Sequence, residues 1–159
     1  MAHLLFPVDY AHSTSCHVGD RRFSQIVCQK ITPGLCGWKN ALYWNIATLG
    51  KVRAYVVYDG KNCVHFSYVV KGREKFTFLK SGDIEIGPCW THPDYRGLGL
   101  YPAVLSQIVQ NEISSGGTAY MVICESNQAS QRGVAKVGFR TDGTFVFTNF
   151  WKQYHINQK

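Results

Sequence analysis

The hydrophobic pattern of this chain changes its period at a glycine-containing loop, and this change constrains the fold more than any other feature. Before the loop, residues 52–59 and 62–70 are rich in β-branched and aromatic side chains, which favour strands. After the loop, apolar residues recur at helical spacing over residues 100–113, and a compact apolar segment follows at residues 119–125. This alternation of strand and helix predicts a pair of parallel strands around the helix.

The segments before the loop predict an antiparallel hairpin and a third, interrupted strand. Residues 59–62 read Asp-Gly-Lys-Asn, a turn sequence between the first two strands. The third strand, residues 83–91, is broken by Gly87 and Pro88, which predicts a bulge or a splay because proline donates no backbone hydrogen bond. The remaining predictions are short helices at residues 24–30 and 38–50, a strand at 75–79, a helix capped by Asn127 or Ser130 and ended by Gly138, and a last strand at 144–151.

Size and composition bound the class of protein. The chain has 159 residues, of which 45% are hydrophobic and 17% charged, so we predict one globular α/β domain over residues 1–159, built on a mixed sheet. No apolar run approaches the roughly 20 residues that cross a bilayer, and the first residues lack the pattern of a secretion signal. A cytoplasmic location without a membrane span is therefore the expectation.

The net charge of +7, from 17 basic and 10 acidic residues, favours an anionic partner. That partner is either a nucleic acid or a multiply phosphorylated small molecule. The chain has no run of five basic residues and no nucleic-acid motif, which disfavours nucleic acid. None of the six cysteines lies in a Cys-x-x-Cys pair, so no metal is expected. A zinc site is conceivable but matches no familiar spacing; it would use Cys16, His17, Cys28 and Cys36.

Two glycines, Gly97 and Gly99, precede the predicted helix and limit the kinds of phosphate loop that the chain can have. A P-loop would need Gly-Lys-Ser or Gly-Lys-Thr at this place, and a dinucleotide fingerprint would need glycine where the chain has Pro102. What remains is either a turn without a ligand or a loop whose amides bind an anion at a helix N-terminus. Arg96 stands at the loop entry, and its guanidinium could reach a phosphate.

A second segment favours the anion-binding interpretation. Asn127 follows the apolar segment at 119–125, Ser130 comes three residues later, and residues 136–139 read Lys-Val-Gly-Phe. Together with Arg-Gly-Leu-Gly-Leu-Tyr at residues 96–101, this spacing resembles the cofactor-binding motifs of the GCN5-related N-acetyltransferases. The resemblance covers residues 83 to 140. The hairpin fits the second and third strands of that family, whereas residues 1 to 50 resemble nothing specific.

The resemblance implies a single domain with flanking helices and a mixed central sheet, in which the parallel fourth and fifth strands splay apart. Acetyl-CoA would lie in the V-shaped gap between them. The pyrophosphate would lie on the amides of residues 97–102, the pantetheine arm would pair with the backbone of residues 89–91, and Asn127 would contact this arm or cap the next helix. Residues 1–50 would flank the acceptor. The implied cofactor-binding residues are Cys89, Trp90, Thr91, Arg96, Gly97, Leu98, Gly99, Leu100, Tyr101, Pro102, Asn127 and Ser130.

The reaction that the resemblance implies is attack by a primary amine on a thioester, which needs a neutral amine and hence a base or a water chain. Glu85 and His65 are the candidate bases; the alternatives are a solvated carboxylate and a histidine satisfied within the sheet. Many members of the family protonate the leaving thiolate from a tyrosine, but this chain has Val134 at that position. The candidate substitutes are Tyr101, Tyr120, Cys124 and Ser130.

These features predict an acyl-CoA-dependent N-acyltransferase that transfers acetyl to the primary amine of a small molecule, such as an amino sugar or an amino acid derivative. The alternative is a non-catalytic acyl-CoA-binding or partner-binding module on the same fold, which the change at Val134 motivates. Tyr101 stands where the family has glycine or alanine, so we expect it to narrow the pyrophosphate site or to lend its hydroxyl to that site. The identity of the acceptor, the acyl length and the formation of a homodimer stay open.

Overall fold

A computed structural model of the protein describes residues 2–5, 26–30, 52–71, 79–113, 116–147 and 154–157. Within these ranges the chain forms nine strands, two α-helices and one short 3-10 helix. In chain order they are β1 (Ala2–Leu5), β2 (Val27–Lys30), β3 (Arg53–Asp59), β4 (Asn62–Lys71), β5 (Ile84–Thr91), the 3-10 helix (Pro93–Tyr95), α1 (Leu100–Glu112), β6 (Ala119–Tyr120), β7 (Val122–Cys124), α2 (Gln128–Ala135), β8 (Gly143–Phe147) and β9 (Tyr154–Asn157). Neither α-helix is long and apolar enough to cross a membrane.

The strands form two sheets, which the segment from β6 to β7 connects. The five-stranded sheet has the order β2-β3-β4-β5-β6, and the four-stranded sheet has the order β7-β1-β8-β9. β6 runs parallel to β5, with Ile84 opposite Ala119, which confirms the predicted parallel pair around α1 and the mixed α/β class. The apolar segment at 119–125 was predicted as one strand and is instead two. It breaks at Met121 because the backbone after that residue leaves β5 and pairs with β1.

The predicted hairpin and the predicted interruption of the third strand are both confirmed. β3 and β4 are antiparallel and are joined at the Asp-Gly-Lys-Asn turn. Between β4 and β5 the register shifts: Ser67 lies opposite Cys89, whereas Val69 lies opposite Ile86. β5 therefore carries one residue more than β4 around Gly87, whose φ of 149° favours glycine.

Other predictions near the two ends of the chain need correction. Residues 24–30 were predicted as a helix, but Val27–Lys30 is strand β2, because antiparallel pairing with β3 satisfies its backbone. The last strand is not the one at 144–151. β8 ends at Phe147, and β9 follows and pairs with it. The predicted helix at 38–50 and nearly all of the predicted strand at 75–79 lie outside the described residues.

The hydrophobic core lies mainly between α1 and the five-stranded sheet. The helical spacing predicted for α1 is confirmed, since Val104, Leu105 and Ile108 are fully buried. They pack in one cluster with Ile84 and Ile86 of β5. A second cluster lies on the opposite face of the sheet and contains Val52, Ala54, Val56, Tyr68 and Val70. The alternation of strand side chains therefore assigns the residues of β5 before Gly87 to one face or the other.

One buried carboxylate ties the last turn of α1 to the sheet. The side chain of Glu112 is only 1% exposed. Its Oε1 accepts a hydrogen bond of 2.8 Å from the Tyr55 hydroxyl, and its Oε2 forms ion pairs with Arg53 and, at 3.0 Å, with Lys71 Nζ. Burial, followed by the hydrogen bond to Glu112, raises the pKa of Tyr55, so the phenol stays protonated and donates. The C-terminal end of α1 is thus fixed on β3 and β4.

Replacing Glu112 by glutamine is expected to lower the free energy of unfolding by about 2 kcal/mol, because charge-assisted hydrogen bonds of a buried acceptor are lost. The measurement is chemical denaturation at neutral pH. Glu125→Gln removes the same charge at an exposed position and is the matched control, expected to change stability little. Equal losses in the two variants would contradict the anchoring role of Glu112.

Candidate functional site

The candidate site is a gap that opens where β5 and the β6–β7 segment part. β5 and β6 pair only at Ile84 with Ala119 and at Glu85 with Tyr120, and β7 pairs with β1 instead. A cavity of about 620 Å³ lies at this gap. Its walls come from the end of β5, the following loop, the first turn of α1, and α2. The lining residues are Cys89, Trp90, Thr91, Tyr95, Arg96, Gly97, Gly99, Leu100, Tyr101, Pro102, Asn127, Ala129, Ser130, Arg132, Gly133 and Lys136.

This cavity brings together all but one of the residues predicted to bind the cofactor. Cys89, Trp90 and Thr91 line it from β5, and Asn127 and Ser130 line it from the start of α2. Arg96 and the residues from Gly97 to Pro102 line it from the loop and from α1, with the exception of Leu98. The half-buried Leu98 is not part of the wall.

The glycine loop leaves the start of α1 open. Gly97 and Gly99 have φ angles of 76° and 84°, and a Cβ at either position would meet no atom within 4 Å. Gly99 is the N-cap of α1, and its carbonyl accepts the first intrahelical bond, from the Ala103 amide at 3.1 Å. The amides of Leu100 and Tyr101 therefore have no acceptor within the helix, and they lie at its positive end. Such an end suits an anion.

Three cationic side chains line the cavity. Arg96 donates from Nε to the Thr91 carbonyl at 3.2 Å, which holds its guanidinium close to the end of β5. Arg132 and Lys136 lie on or just after α2, four residues apart, and so extend from the same helix side. The lining residues include no carboxylate. Neither Arg132 nor Lys136 was predicted to bind the cofactor, although their spacing on the predicted helix was a usable signal.

Asn127 caps α2. Its Oδ1 accepts a hydrogen bond of 3.1 Å from the Ser130 amide, which confirms it as the N-cap among the two predicted candidates. Gly138, with a φ of 93°, ends the turn after α2, and its amide donates to the Ala135 carbonyl. His92 shapes the turn before the loop, because its Nδ1 accepts from the Asp94 amide at 3.4 Å.

His65 is satisfied within the sheet. It is fully buried, and hydrogen bonds join its Nδ1 to Thr91 Oγ1 at 2.7 Å and its Nε2 to Ser67 Oγ at 2.9 Å. Burial lowers its pKa to about 4, so the ring is neutral at physiological pH. Thr91 lines the cavity and His65 does not, which places His65 one residue behind the wall.

Glu85 is a buried carboxylate and not a solvated one. It is 2% exposed and lies between Ile84 and Ile86, which both pack under α1. Strand alternation therefore directs Glu85 to the opposite face of the sheet. It is not part of the cavity wall.

The side chain of Tyr101 extends past the predicted pyrophosphate site toward the point where β6 ends. Its hydroxyl lies 3.9 Å from Met121 Sδ, at the point where β6 ends and β7 begins. Its ring packs against α2 so tightly that a Cβ on Gly133 would lie 2.6 Å from Tyr101 Cδ1. Burial raises the pKa of Tyr101, so its phenol stays protonated. The ring thus crosses the space between α1 and α2.

The position that holds a tyrosine in many family members has no proton donor here. Val134 is fully buried in the core, next to Gly133. Of the candidate substitutes, Tyr101 and Ser130 line the cavity, whereas Tyr120 and Cys124 do not. The thiol of Cys124 lies 3.1 Å from Ser126 Oγ. Tyr101 and Ser130 are therefore the two candidates that could reach a ligand in the gap.

Two of the comparisons concern sequence. No protein-family model matches the chain. Over 91 residues it is 25% identical to an uncharacterized N-acetyltransferase of Mycobacterium bovis, and the match covers 57% of this chain and 53% of that protein. The chain therefore spans about half the length of the curated relatives it matches.

The third comparison concerns structure. A GNAT-family protein of Novosphingobium aromaticivorans superposes with a TM-score of 0.60 at 17% identity, covering 90% of this chain and 60% of the other. A GNAT-family acetyltransferase of Colwellia psychrerythraea gives a TM-score of 0.59 at 12% identity, with coverage of 88% and 52%. The splayed strands, the glycine loop and these superpositions together show that the chain has the fold of the GCN5-related N-acetyltransferases.

Proposed function

We propose that the protein is an acyl-CoA-dependent N-acyltransferase that transfers acetyl from acetyl-CoA to the primary amine of a small molecule, such as an amino sugar or an amino acid derivative. Acyl transfer as a class is supported by the fold and by the relatives named N-acetyltransferases. One observation carries the assignment further. An open helix N-terminus, a glycine loop and three cations meet at one cavity, at the gap between two diverging parallel strands.

The charged end of CoA suits the loop side of this cavity. The absence of side chains at Gly97 and Gly99 lets a pyrophosphate approach the backbone, where the amides of Leu100 and Tyr101 can donate to it. CoA has a third phosphate, which lies farther from the loop than the pyrophosphate does. The cationic side chains that line the cavity supply the positive charge that this phosphate requires; they are Arg96, Arg132 and Lys136. The cavity therefore matches a polyanion better than it matches a neutral ligand.

The arm of CoA suits the exposed edge of β5. Residues 89–91 pair with β4 on one side only, through Ser67 opposite Cys89 and His65 opposite Thr91. Among the described strands, the other neighbour of β5 is β6, which pairs only with Ile84 and Glu85. The amide groups of the pantetheine arm could therefore add to this edge as a short extra strand.

The proposed reaction is direct transfer. The nitrogen of the neutral amine attacks the thioester carbonyl carbon, a base takes the proton that the nitrogen loses, the carbon–sulfur bond breaks, and the thiolate takes up a proton. Tyr101, which lines the cavity and reaches its inner end, is the proposed donor of that proton. Both ring nitrogens of His65 are hydrogen-bonded to hydroxyl groups. His65 is therefore better suited to positioning Thr91 than to accepting a proton. Glu85, buried on the opposite face of the sheet, stays the candidate base.

Replacing Tyr101 by phenylalanine is expected to lower kcat about tenfold and to leave the affinity for acetyl-CoA unchanged. The loss is small for a general acid because a thiolate leaves readily. Release of free CoA thiol measures turnover, and calorimetry measures affinity. Tyr120→Phe makes the same change outside the cavity and should leave both quantities unchanged. A Tyr101→Phe variant with the kcat of the parent would contradict the proton-donor role.

The proposed function itself is tested in two steps. First, acetyl-CoA should raise the melting temperature of the protein, because it binds only the folded state; without any stabilisation, the acyl-CoA assignment fails. Second, a panel of amino sugars and amino acid derivatives should release CoA thiol from acetyl-CoA. Stabilisation without thiol release would favour the alternative, a non-catalytic acyl-CoA-binding module. The buried valine at position 134 is the observation that supports this alternative.

A further inference from the structure

We infer that Tyr101, seated against Gly133, closes the inner end of the cavity and restricts the donor to a short acyl chain. This inference rests on the proposed function, since it concerns the acyl end of the same ligand.

The Tyr101 ring lies between the start of α1 and the point where β6 ends. Tyr101 is the second residue of α1, and its amide is among those proposed to hold the pyrophosphate. Its hydroxyl lies beside Met121 Sδ. Met121 separates β6 from β7, so it marks the apex of the gap. A chain paired along the edge of β5 with its reactive end toward this apex would meet the Tyr101 ring there.

Packed neighbours prevent the Tyr101 ring from moving away from the cavity. On the side of α2, the ring occupies the volume that a Cβ of residue 133 would take, so only glycine fits there in this packing. On the side of the sheet, the fully buried His65 lies with its ring centroid 6.0 Å from that of Tyr101. Tyr101 also packs against the core cluster that contains Met121 and Val134, which are 3% and 0% exposed. A longer acyl chain would have to displace a side chain that packed groups hold on several sides.

The test measures dissociation constants for acetyl-, butyryl- and hexanoyl-CoA in competition with a fluorescent CoA analogue. In the parent protein, affinity should fall as the chain lengthens. Tyr101→Ala should reverse this order, because the vacated volume can bury methylenes, each of which adds up to about fourfold in affinity. Hexanoyl-CoA should then bind at least about tenfold more tightly than acetyl-CoA. Tyr101→Phe keeps the ring and should keep the order of the parent.

The outcomes separate the inference from the proposed function. If the parent binds neither CoA nor acetyl-CoA, the proposed function fails, and the inference fails with it. If the parent binds both but Tyr101→Ala keeps its order of affinities, the inference alone is overturned. Tyr101→Leu is the second variant if the alanine variant does not fold. Leucine is shorter than tyrosine and still apolar, so it should raise the affinity for butyryl-CoA relative to acetyl-CoA; an unchanged ratio would overturn the inference equally.

Discussion

Replacing Gly99 by aspartate is expected to weaken CoA binding about a hundredfold or more, since the loss of charge-assisted hydrogen bonds alone accounts for that factor. The added carboxylate would stand beside the amides of Leu100 and Tyr101, in the open space above the loop, where it would repel a phosphate and accept the same hydrogen bonds. The fold should survive. Aspartate tolerates a left-handed φ such as the 84° of Gly99 better than most residues.

Gly60→Asp is the matched control for this variant. Gly60 also has a positive φ, 58°, and open space around its Cβ position, but it lies in the β3–β4 turn and does not line the cavity. Both variants should show similar melting temperatures, and the Gly60 variant should bind CoA like the parent in calorimetry. Undiminished CoA binding by the Gly99 variant would reject the loop as the pyrophosphate site.

Acidification is expected to destabilise the folded protein by about 3 kcal/mol through His65 alone. The pKa of His65 is about 4 in the folded state, against an ordinary value of 6.5. Between these values the unfolded chain binds a proton at this position and the folded chain does not, so the free energy of unfolding falls as the pH falls from 6.5 to 4. The contribution is fully present above pH 6.5. Urea denaturation at half-unit steps across this range measures it.

Two variants isolate the contribution of His65 to this slope. His65→Gln removes the titrating ring, so its stability should depend less on pH across the same range, although its stability at neutral pH should also drop because two buried hydroxyls lose a partner. His92→Gln, at a histidine whose side chain is 42% exposed, is the matched control. If the His65 variant and the parent had the same slope from pH 6.5 to 4, another group would have to carry the effect.

Local patterns in the sequence were enough to predict the centre of the fold. The Asp-Gly turn, the β-branched runs and the helical spacing of residues 100–113 act over short distances, and the structure has the expected hairpin, α1 and parallel pair. The errors concern pairing between distant segments. β2 is a strand because β3 accepts it as a neighbour, and β7 separates from β6 because β1 pairs with it, more than a hundred residues away in sequence.

The candidate site, like the fold, was predictable where local motifs specify it and not where distant segments pack together. The glycine loop and Asn127 follow from motifs whose spacing fixes their geometry, and they do lie on one cavity. Gly133 matters only because its helix α2 packs beside Tyr101 of α1, which no local pattern specifies. The environment of Tyr101 was likewise hidden, since it depends on the missing side chain of Gly133 in a different helix.

The split between β6 and β7 has a consequence for dissecting the protein. The proposed binding motifs are contiguous, between residues 84 and 138, but one wall of the gap is held in place by a strand from the opposite end of the polypeptide. β1 lies between β7 and β8, so it bridges the wall of the gap to the C-terminal hairpin. An excised peptide that carries every motif would therefore lack the brace that keeps the two strands apart. The residues proposed to bind the ligand are contiguous in sequence, but the folded unit that holds them in place also needs segments from distant parts of the chain.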